Sequence, residues 1–181
     1  MGLMNIRRRM IAGKNAMRPI YSIYNYSSNQ GKLDTGVSLV NEGTKEYTVI
    51  IKVDCDMNTV ACQVISGAGI YRPYCYLYPK RNFSYYGIKN GSHVETNYFP
   101  GTDFYLTWLK ALCITVNLEE MTTCVFLNDR PAENGIITEV AETTNNIVIF
   151  PDNRKDAHII LNKLEIYPYS MTEAQMRKLV Q

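Results

Sequence analysis

The stretch that decides the fold class is EYTVIIKVD at residues 46–54. Its apolar side chains recur at every second position, at Tyr47, Val49, Ile51 and Val53. Because successive side chains of an extended chain point to opposite faces, a period of two predicts a β-strand with one buried face. Residues 46–54 therefore predict a strand rather than a helix.

Further short apolar runs follow along the chain, and turn-forming residues separate them. They lie at residues 60–66, 74–78, 104–109, 112–118, 122–127, 136–140, 147–150 and 158–167. The pair Glu119 and Glu120, between two of these runs, predicts the polar tip of a hairpin. Because a series of short strands at such spacing is typical of an antiparallel two-sheet sandwich, the predicted fold class is all-β.

The last part of the chain has a different pattern. Thr172 is followed three residues later by Gln175, which is the arrangement of a capping box at a helix N-terminus. Met171, Met176 and Leu179 share one apolar edge at helical spacing. These residues predict a short C-terminal helix that closes one side of the sandwich.

Length and charge fit one domain preceded by a basic arm. The chain has 181 residues, of which 46% are hydrophobic and 20% charged, close to the globular average. Residues 1–18 hold five Lys and Arg and no acid, whereas the remainder holds 14 of the 19 basic residues and all 17 acidic ones, a net charge of −3. We therefore divide the chain into an extended N-terminal arm, 1–18, and one domain, 19–181. The weakly acidic domain argues against nucleic acid as a partner.

The arm centres on three consecutive arginines, Arg7, Arg8 and Arg9. A segment with so few apolar residues does not fold alone. Because the planar guanidinium of Arg pairs bidentately with carboxylates, we expect the arm to dock in an acidic groove of a neighbouring subunit or shell protein. The alternative is a solubilising tail.

Cysteine usage and hydropathy bear on the compartment. The five cysteines are far apart, without the close pairs of a zinc site, at Cys55, Cys62, Cys75, Cys113 and Cys124. An odd number with no disulfide pattern predicts free thiols in a reducing compartment. No apolar run has the length of a secretory signal or of a membrane span of about 20 residues. The sequence therefore predicts synthesis in the cytosol and no membrane partner.

The order of the segments is itself informative. Residues 33–39 (LDTGVSL) lead into the strand at 46–53, residues 113–128 contain a strand pair that ends in Asn, and residues 164–179 join a closing strand to a terminal helix. In this order they resemble laminin-G-like, concanavalin A-like jelly-roll domains, over about residues 33–180. The resemblance implies an antiparallel jelly-roll sandwich. Modules of this kind bind glycans, bind proteins or decorate a surface, so the fold alone does not decide activity.

The sequence contains no motif that points to catalysis or to a cofactor. A retaining glycosidase needs two carboxylates about 5–5.5 Å apart. Glu119 and Glu120 are adjacent, so on a strand they would point to opposite faces. His93 and His158 are distant in sequence, and neither lies beside a plausible nucleophile. We therefore predict that the protein is not an enzyme and needs no cofactor.

A calcium site has only a weak signal. Asp54 and Asp56, with Asn58 nearby, offer oxygen ligands at alternating positions, as a calcium site requires. The interpretation that we favour is a polar turn at the end of a strand, without metal.

Tyrosines are concentrated at residues 71–86, where Tyr74, Tyr76 and Tyr78 alternate along one predicted strand. A tyrosine offers a flat apolar ring and a hydroxyl, which suit sugar stacking or a protein interface. The alternative is an ordinary half-exposed sheet face, and we weigh the two equally. Replacing all three by Ser tests whether this face binds a partner chain or a glycan.

The first ten residues, MGLMNIRRRM, are similar to the openings of phage and prophage virion proteins of gut bacteria. With the jelly-roll resemblance, this implies a non-enzymatic virion protein: a capsid decoration, head-fibre or tail-associated module assembled in the bacterial cytoplasm. Its partners would be other virion proteins, further copies of itself and cell-surface glycans. The alternative is a stand-alone carbohydrate-binding, lectin-like module, and a hydrolase comes third.

Overall fold

The fold is described from a computed structural model of the chain. It describes residues 18–38, 45–55, 62–66, 74–77, 83–89, 92–98, 110–136 and 146–181. The three arginines of the predicted arm, Arg7, Arg8 and Arg9, and the predicted strand at 104–109 lie outside these residues. No helix in the described part of the chain is long and apolar enough to cross a membrane.

The described residues form two antiparallel sheets and a C-terminal helix. The strands are β1 (Tyr21–Ser27), β2 (Leu33–Asp34), β3 (Glu46–Cys55), β4 (Cys62–Ser66), β5 (Tyr74–Leu77), β6 (Phe83–Lys89), β7 (Ser92–Tyr98), β8 (Ala111–Asn117), β9 (Thr122–Leu127), β10 (Glu133–Ile136), β11 (Val148–Ile149) and β12 (Ile159–Tyr167), and the helix is α1 (Glu173–Val180). The first sheet has the order β1-β12-β3-β8-β9-β10, and the second has the order β2-β11-β4-β5-β6-β7. The predicted two-sheet jelly-roll sandwich with a short C-terminal helix is confirmed.

The main core lies between the sheets, and β3 supplies a central part of it. Its alternate residues Tyr47, Val49, Ile51 and Val53 are all buried there, as the sequence predicts. The neighbouring strand β8 places Leu112, Ile114 and Val116 in the same core, with Val49 paired with Ile114 across the two strands. Ile65, Ile149 and Phe150 of the second sheet and its flanks close the core from the other side.

A second, smaller core lies on the outer face of the first sheet, where α1 covers it. Its buried residues are Ile50, Cys113, Phe126, Tyr167, Met171 and Met176. The helix begins as predicted: the Thr172 hydroxyl accepts a hydrogen bond from the Gln175 amide (3.3 Å), and Gln175 Oε1 accepts one from the Thr172 amide (2.8 Å). Strand β3 is therefore buried on both of its faces.

Some strand boundaries differ from the prediction. Strand β1 was not predicted from the sequence, and the structure shows the physical reason. Strand β10 begins at Glu133, before the predicted run at 136–140, of which residues 137–140 lie outside the described part, and β11 is only two residues long. In β1, Tyr21 and Ile23 pack on the main core, but the next core residue is Tyr26, because Asn25 adopts a left-handed φ of 55°. Because Asn25 interrupts the alternation of buried and exposed side chains, a pattern with a period of two does not reveal this strand.

Candidate functional site

A groove of about 440 Å³ lies on the outer face of the first sheet, beside the second core. Strands β8, β9 and β10 form its base, the β8–β9 loop forms one end, and the segment that leads into α1 forms a wall. The lining residues are Thr115, Asn117, Glu120, Thr122, Thr123, Cys124, Asn134, Gly135, Ser170, Met171 and Thr172. Most of these side chains carry hydroxyl, amide or carboxylate groups.

Thr115 fixes the wall of the groove to its base. Its Oγ1 accepts a hydrogen bond from the Met171 backbone amide (3.0 Å) and lies 3.0 Å from the hydroxyl of Thr48 on the neighbouring strand β3. The Thr48 hydroxyl also lies within donating distance, 2.9 Å, of the Tyr169 carbonyl oxygen. Two threonines that point outward from the sheet thus hold residues 169–171 in place.

Asn117 shapes the loop at the end of the groove. Its Oδ1 accepts hydrogen bonds from the backbone amides of Glu119 and Glu120, each at 2.9 Å, and its Nδ2 donates to Glu46 Oε1 at 2.7 Å. Met121, with a left-handed φ of 53°, ends the loop. The prediction that Glu119 and Glu120 form a hairpin tip is confirmed, and the fold places Glu120 on the rim of the groove.

Four lining groups are free of hydrogen bonds to other residues that the structure describes. They are the carboxylate of Glu120, the hydroxyls of Thr122 and Ser170, and the amide of Asn134. Glu120, Thr122 and Asn134 are exposed to solvent, and Ser170 is half-buried. The groove therefore combines a base and wall fixed by internal hydrogen bonds with donors and acceptors that no other described residue engages.

The thiol of Cys124 also borders the groove. Burial raises the pKa of this thiol, and the Glu173 carboxylate raises it further. A thiol with a raised pKa stays protonated near neutral pH and is a poor nucleophile. Cys124 therefore contributes surface to the groove rather than reactivity.

A second polar cluster lies on the same outer face, between β1 and β12, and is centred on Glu165. This buried carboxylate accepts hydrogen bonds from the hydroxyls of Tyr24 (2.8 Å) and Tyr167 (2.6 Å) and pairs with Lys163 Nζ (2.8 Å). Burial acts to raise the pKa of Glu165, but the hydrogen bonds from Lys163, Tyr167 and Tyr24 outweigh it and hold the pKa below its ordinary value. Because the carboxylate is engaged by three partners, this cluster fits a structural role.

Among the predicted tyrosines, Tyr74 and Tyr76 lie on β5, which pairs with β4 and β6 inside the second sheet. The strand prediction is confirmed there. Tyr78 and the side chains of Tyr74 and Tyr76 lie outside what the structure describes, so the binding role of this face stays a prediction.

For the predicted calcium ligands, the structure describes Asp54 but not Asp56. Lys110 Nζ contacts Asp54 Oδ1 at 2.6 Å, and Asn162 Nδ2 donates to Asp54 Oδ2 at 2.7 Å. These hydrogen bonds hold the pKa of Asp54 below its ordinary value, and the one from Lys110 has the largest effect. In the described part of the chain, no three His, Cys, Asp or Glu side chains cluster where one metal ion could bind. Calcium binding at Asp54 and Asp56 stays the weaker alternative, and the polar turn without metal stays the favoured prediction.

Sequence reasoning missed the groove because its parts are far apart in the chain. Thr115 and Asn117 belong to β8, Asn134 belongs to β10, and Ser170 precedes the helix. The available signal was the set of polar residues at alternate positions of an otherwise apolar strand. That alternation shows that a face is polar, but it does not show which later segment lies beside it.

The chain is similar to known proteins in its fold. No protein-family model matches the sequence, and no curated protein matches it. The chain is similar in structure to the CBM40 domain of the Ruminococcus gnavus IT-sialidase bound to α2,3-sialyllactose, with a TM-score of 0.59 and 10% identity over 90% of this chain and 100% of that one. It is also similar to the binding domain of botulinum neurotoxin DC in complex with SialylT, with a TM-score of 0.55 and 8% identity over 82% of this chain and 38% of that one.

A third similar structure, that of NanB plus Optactamide, has a TM-score of 0.65 and 8% identity, and the match covers 88% of this chain. The chain spans only 28% of the length of that protein, whereas it spans the whole of the CBM40 domain. At these identities the comparisons establish a shared fold, the β-sandwich of carbohydrate-binding modules and of a toxin's binding domain.

Proposed function

We propose that this chain is a non-enzymatic, lectin-like module that binds glycans in the groove on the outer face of its first sheet. The observation that carries the proposal is a set of four polar groups around a fixed base, on Glu120, Thr122, Asn134 and Ser170, that form no hydrogen bond to any other described residue. Sugar hydroxyls both donate and accept hydrogen bonds, so they match a rim of hydroxyl, amide and carboxylate groups. The volume of about 440 Å³ lies within the usual range for small-ligand sites.

Two further facts support binding rather than catalysis. The groove is built on strands and on a capped helix start, and sites on such elements hold their geometry well. Glycoside hydrolysis uses a pair of carboxylates, whereas Glu120 is the one carboxylate among the described lining residues. Two of the structures that share the fold were solved with α2,3-sialyllactose and with SialylT, which makes glycans the first ligands to test.

A role in a virion rests on the first ten residues and on the basic arm alone. None of the three similar structures reported above is described as a virion protein. The glycan-binding proposal does not depend on that role, because it concerns only residues of the sandwich.

The test is a glycan array with the full chain, followed by titration calorimetry with the glycans that bind. Asn134→Ala removes one of the free groups and should weaken binding about two- to tenfold, the worth of one net hydrogen bond. Asn29→Ala is the matched control, since Asn29 is also an exposed asparagine but does not line the groove. An array without any bound glycan, or binding that Asn134→Ala leaves unchanged, would overturn the proposal.

A further inference from the structure

We infer that the groove selects glycans that carry no charge and discriminates against sialylated or other acidic ones. This inference rests on the proposed function and specifies its ligand class. It departs from two of the similar structures, which were solved with sialyllactose and SialylT.

The charge of the described lining is the first reason. Glu120 is the one charged side chain among the described lining residues, and no Lys, Arg or His is among them. A sugar carboxylate bound in this groove would meet a carboxylate without a compensating cation among the described lining residues. Two like charges at the same rim repel each other, most strongly at low salt, whereas neutral hydroxyls can donate to the same carboxylate.

Three backbone amides beside the groove already have acceptors. The start of a helix attracts anions through its free amides, and α1 begins beside the groove. Here the Met171 amide donates to Thr115 Oγ1. The Thr172 and Gln175 amides donate to side-chain oxygens within the capping box. The Glu173 side chain also lies in the first turn of the helix, where it competes with any anionic ligand.

Two cations on segments next to the groove, Lys45 and Arg177, have partners among the described residues. Lys45 Nζ lies 3.9 Å from Glu119 Oε1 at the β8–β9 loop. Arg177 pairs with Glu173, lies over the ring of Phe126 and donates to the carbonyl of Arg130. An acidic ligand that approached either cation would compete with these partners.

The experiment compares neutral glycans with their sialylated counterparts on the full chain, for example lactose against 3′-sialyllactose, at low and at physiological salt. We expect the neutral member of each pair to bind at least fivefold more tightly, and we expect the ratio to shrink as salt rises. Glu120→Gln should bring the two affinities closer together, by raising that of the sialylated member. Asp129→Asn is the matched control, because Asp129 is also an exposed acid but does not line the groove, and it should leave the ratio unchanged.

The outcomes separate the two proposals. Tighter binding of the sialylated member, weakened by Asn134→Ala, would overturn the charge inference and leave the glycan-binding function standing. A ratio that Glu120→Gln does not change, in a variant with the melting temperature of the wild type, would also overturn the inference. Absence of binding to both classes would overturn both proposals.

Discussion

At the scale of single residues, Glu165 shows how a carboxylate can be buried at low cost. Only 6% of the residue is exposed, yet it has three partners, Tyr24, Tyr167 and Lys163. Burial and the hydrogen bond to Glu165 in turn raise the pKa of Tyr167, so that its hydroxyl remains a donor at any pH the protein meets. The two hydroxyls and the ammonium together replace the water that the carboxylate loses.

The depressed pKa of Glu165 makes stability depend on pH. Because the folded pKa is lower than the unfolded value of about 4.5, the stabilisation is complete above that value and is lost as the pH falls through the folded pKa. We expect Glu165→Gln to cost about 1–3 kcal/mol at pH 7 and to flatten the loss of stability between pH 5 and pH 2. Urea denaturation at a series of pH values measures this.

Tyr24→Phe serves as the graded control, because it removes one donor and keeps the carboxylate. Its pH profile should fall between those of the wild type and Glu165→Gln. If the profiles of the wild type and Glu165→Gln run parallel, Glu165 does not cause the pH dependence.

Residue-level prediction from sequence succeeded only where the partners are close in the chain. The Thr172–Gln175 capping box spans three residues and could be read directly. Tyr24 and Glu165 are separated by 141 residues, and no local pattern links them. The free groups of the groove were missed for the same reason.

At the scale of elements, helix α1 contributes stability through one buried residue and one cap. Met176 is fully buried on the second core, and Thr172 caps the helix N-terminus. We expect Met176→Ala to lower the free energy of unfolding by about 2–5 kcal/mol and Thr172→Ala by about 1 kcal/mol. Lys178→Ala, on the exposed face of the helix, should change it by less than about 0.5 kcal/mol.

Chemical denaturation of the three variants gives these differences directly. If Met176→Ala costs no more than Lys178→Ala, α1 does not pack on the sheet in solution as the structure describes.

Elements with strong periodicity could be predicted, and those whose pattern is broken could not. Strand β3 and helix α1 follow their periods closely, whereas Asn25 interrupts β1. Strands β6 and β7 had a signal that our sequence analysis did not use. Lys89 pairs with Ser92, so two residues connect the strands, and the sequence there is Asn90-Gly91, a strong hairpin signal.

At the scale of the whole molecule, the boundary of the predicted arm can be tested. The first described pairing is the Ile20 amide with the Ile166 carbonyl oxygen (2.7 Å), and Tyr21 and Ile23 then pack on the main core. Deletion of residues 2–18 should therefore leave the melting temperature unchanged, whereas deletion of residues 2–23 should lower it by several degrees, because it removes apolar burial.

The same two proteins test the docking role predicted for Arg7, Arg8 and Arg9. Deletion of residues 2–18 should abolish incorporation into particles without altering the melt, and binding through the arm should weaken as salt rises. Normal incorporation would leave the arm as a solubilising tail, and a lowered melting temperature would show that the domain extends into it.

The strand order β1-β12-β3 also has a consequence for the folding of the chain during its synthesis. Strand β12, at residues 159–167, lies between β1 and β3 and pairs with both of them. Until those residues have been synthesised, the nascent chain carries two strands whose shared partner does not yet exist. Unpaired strand edges can pair with other chains. A chaperone would therefore bind in the interval before residues 159–167 have been synthesised. The first sheet can therefore be completed only after translation of residue 167, although β3, β8, β9 and β10 can pair with one another before that.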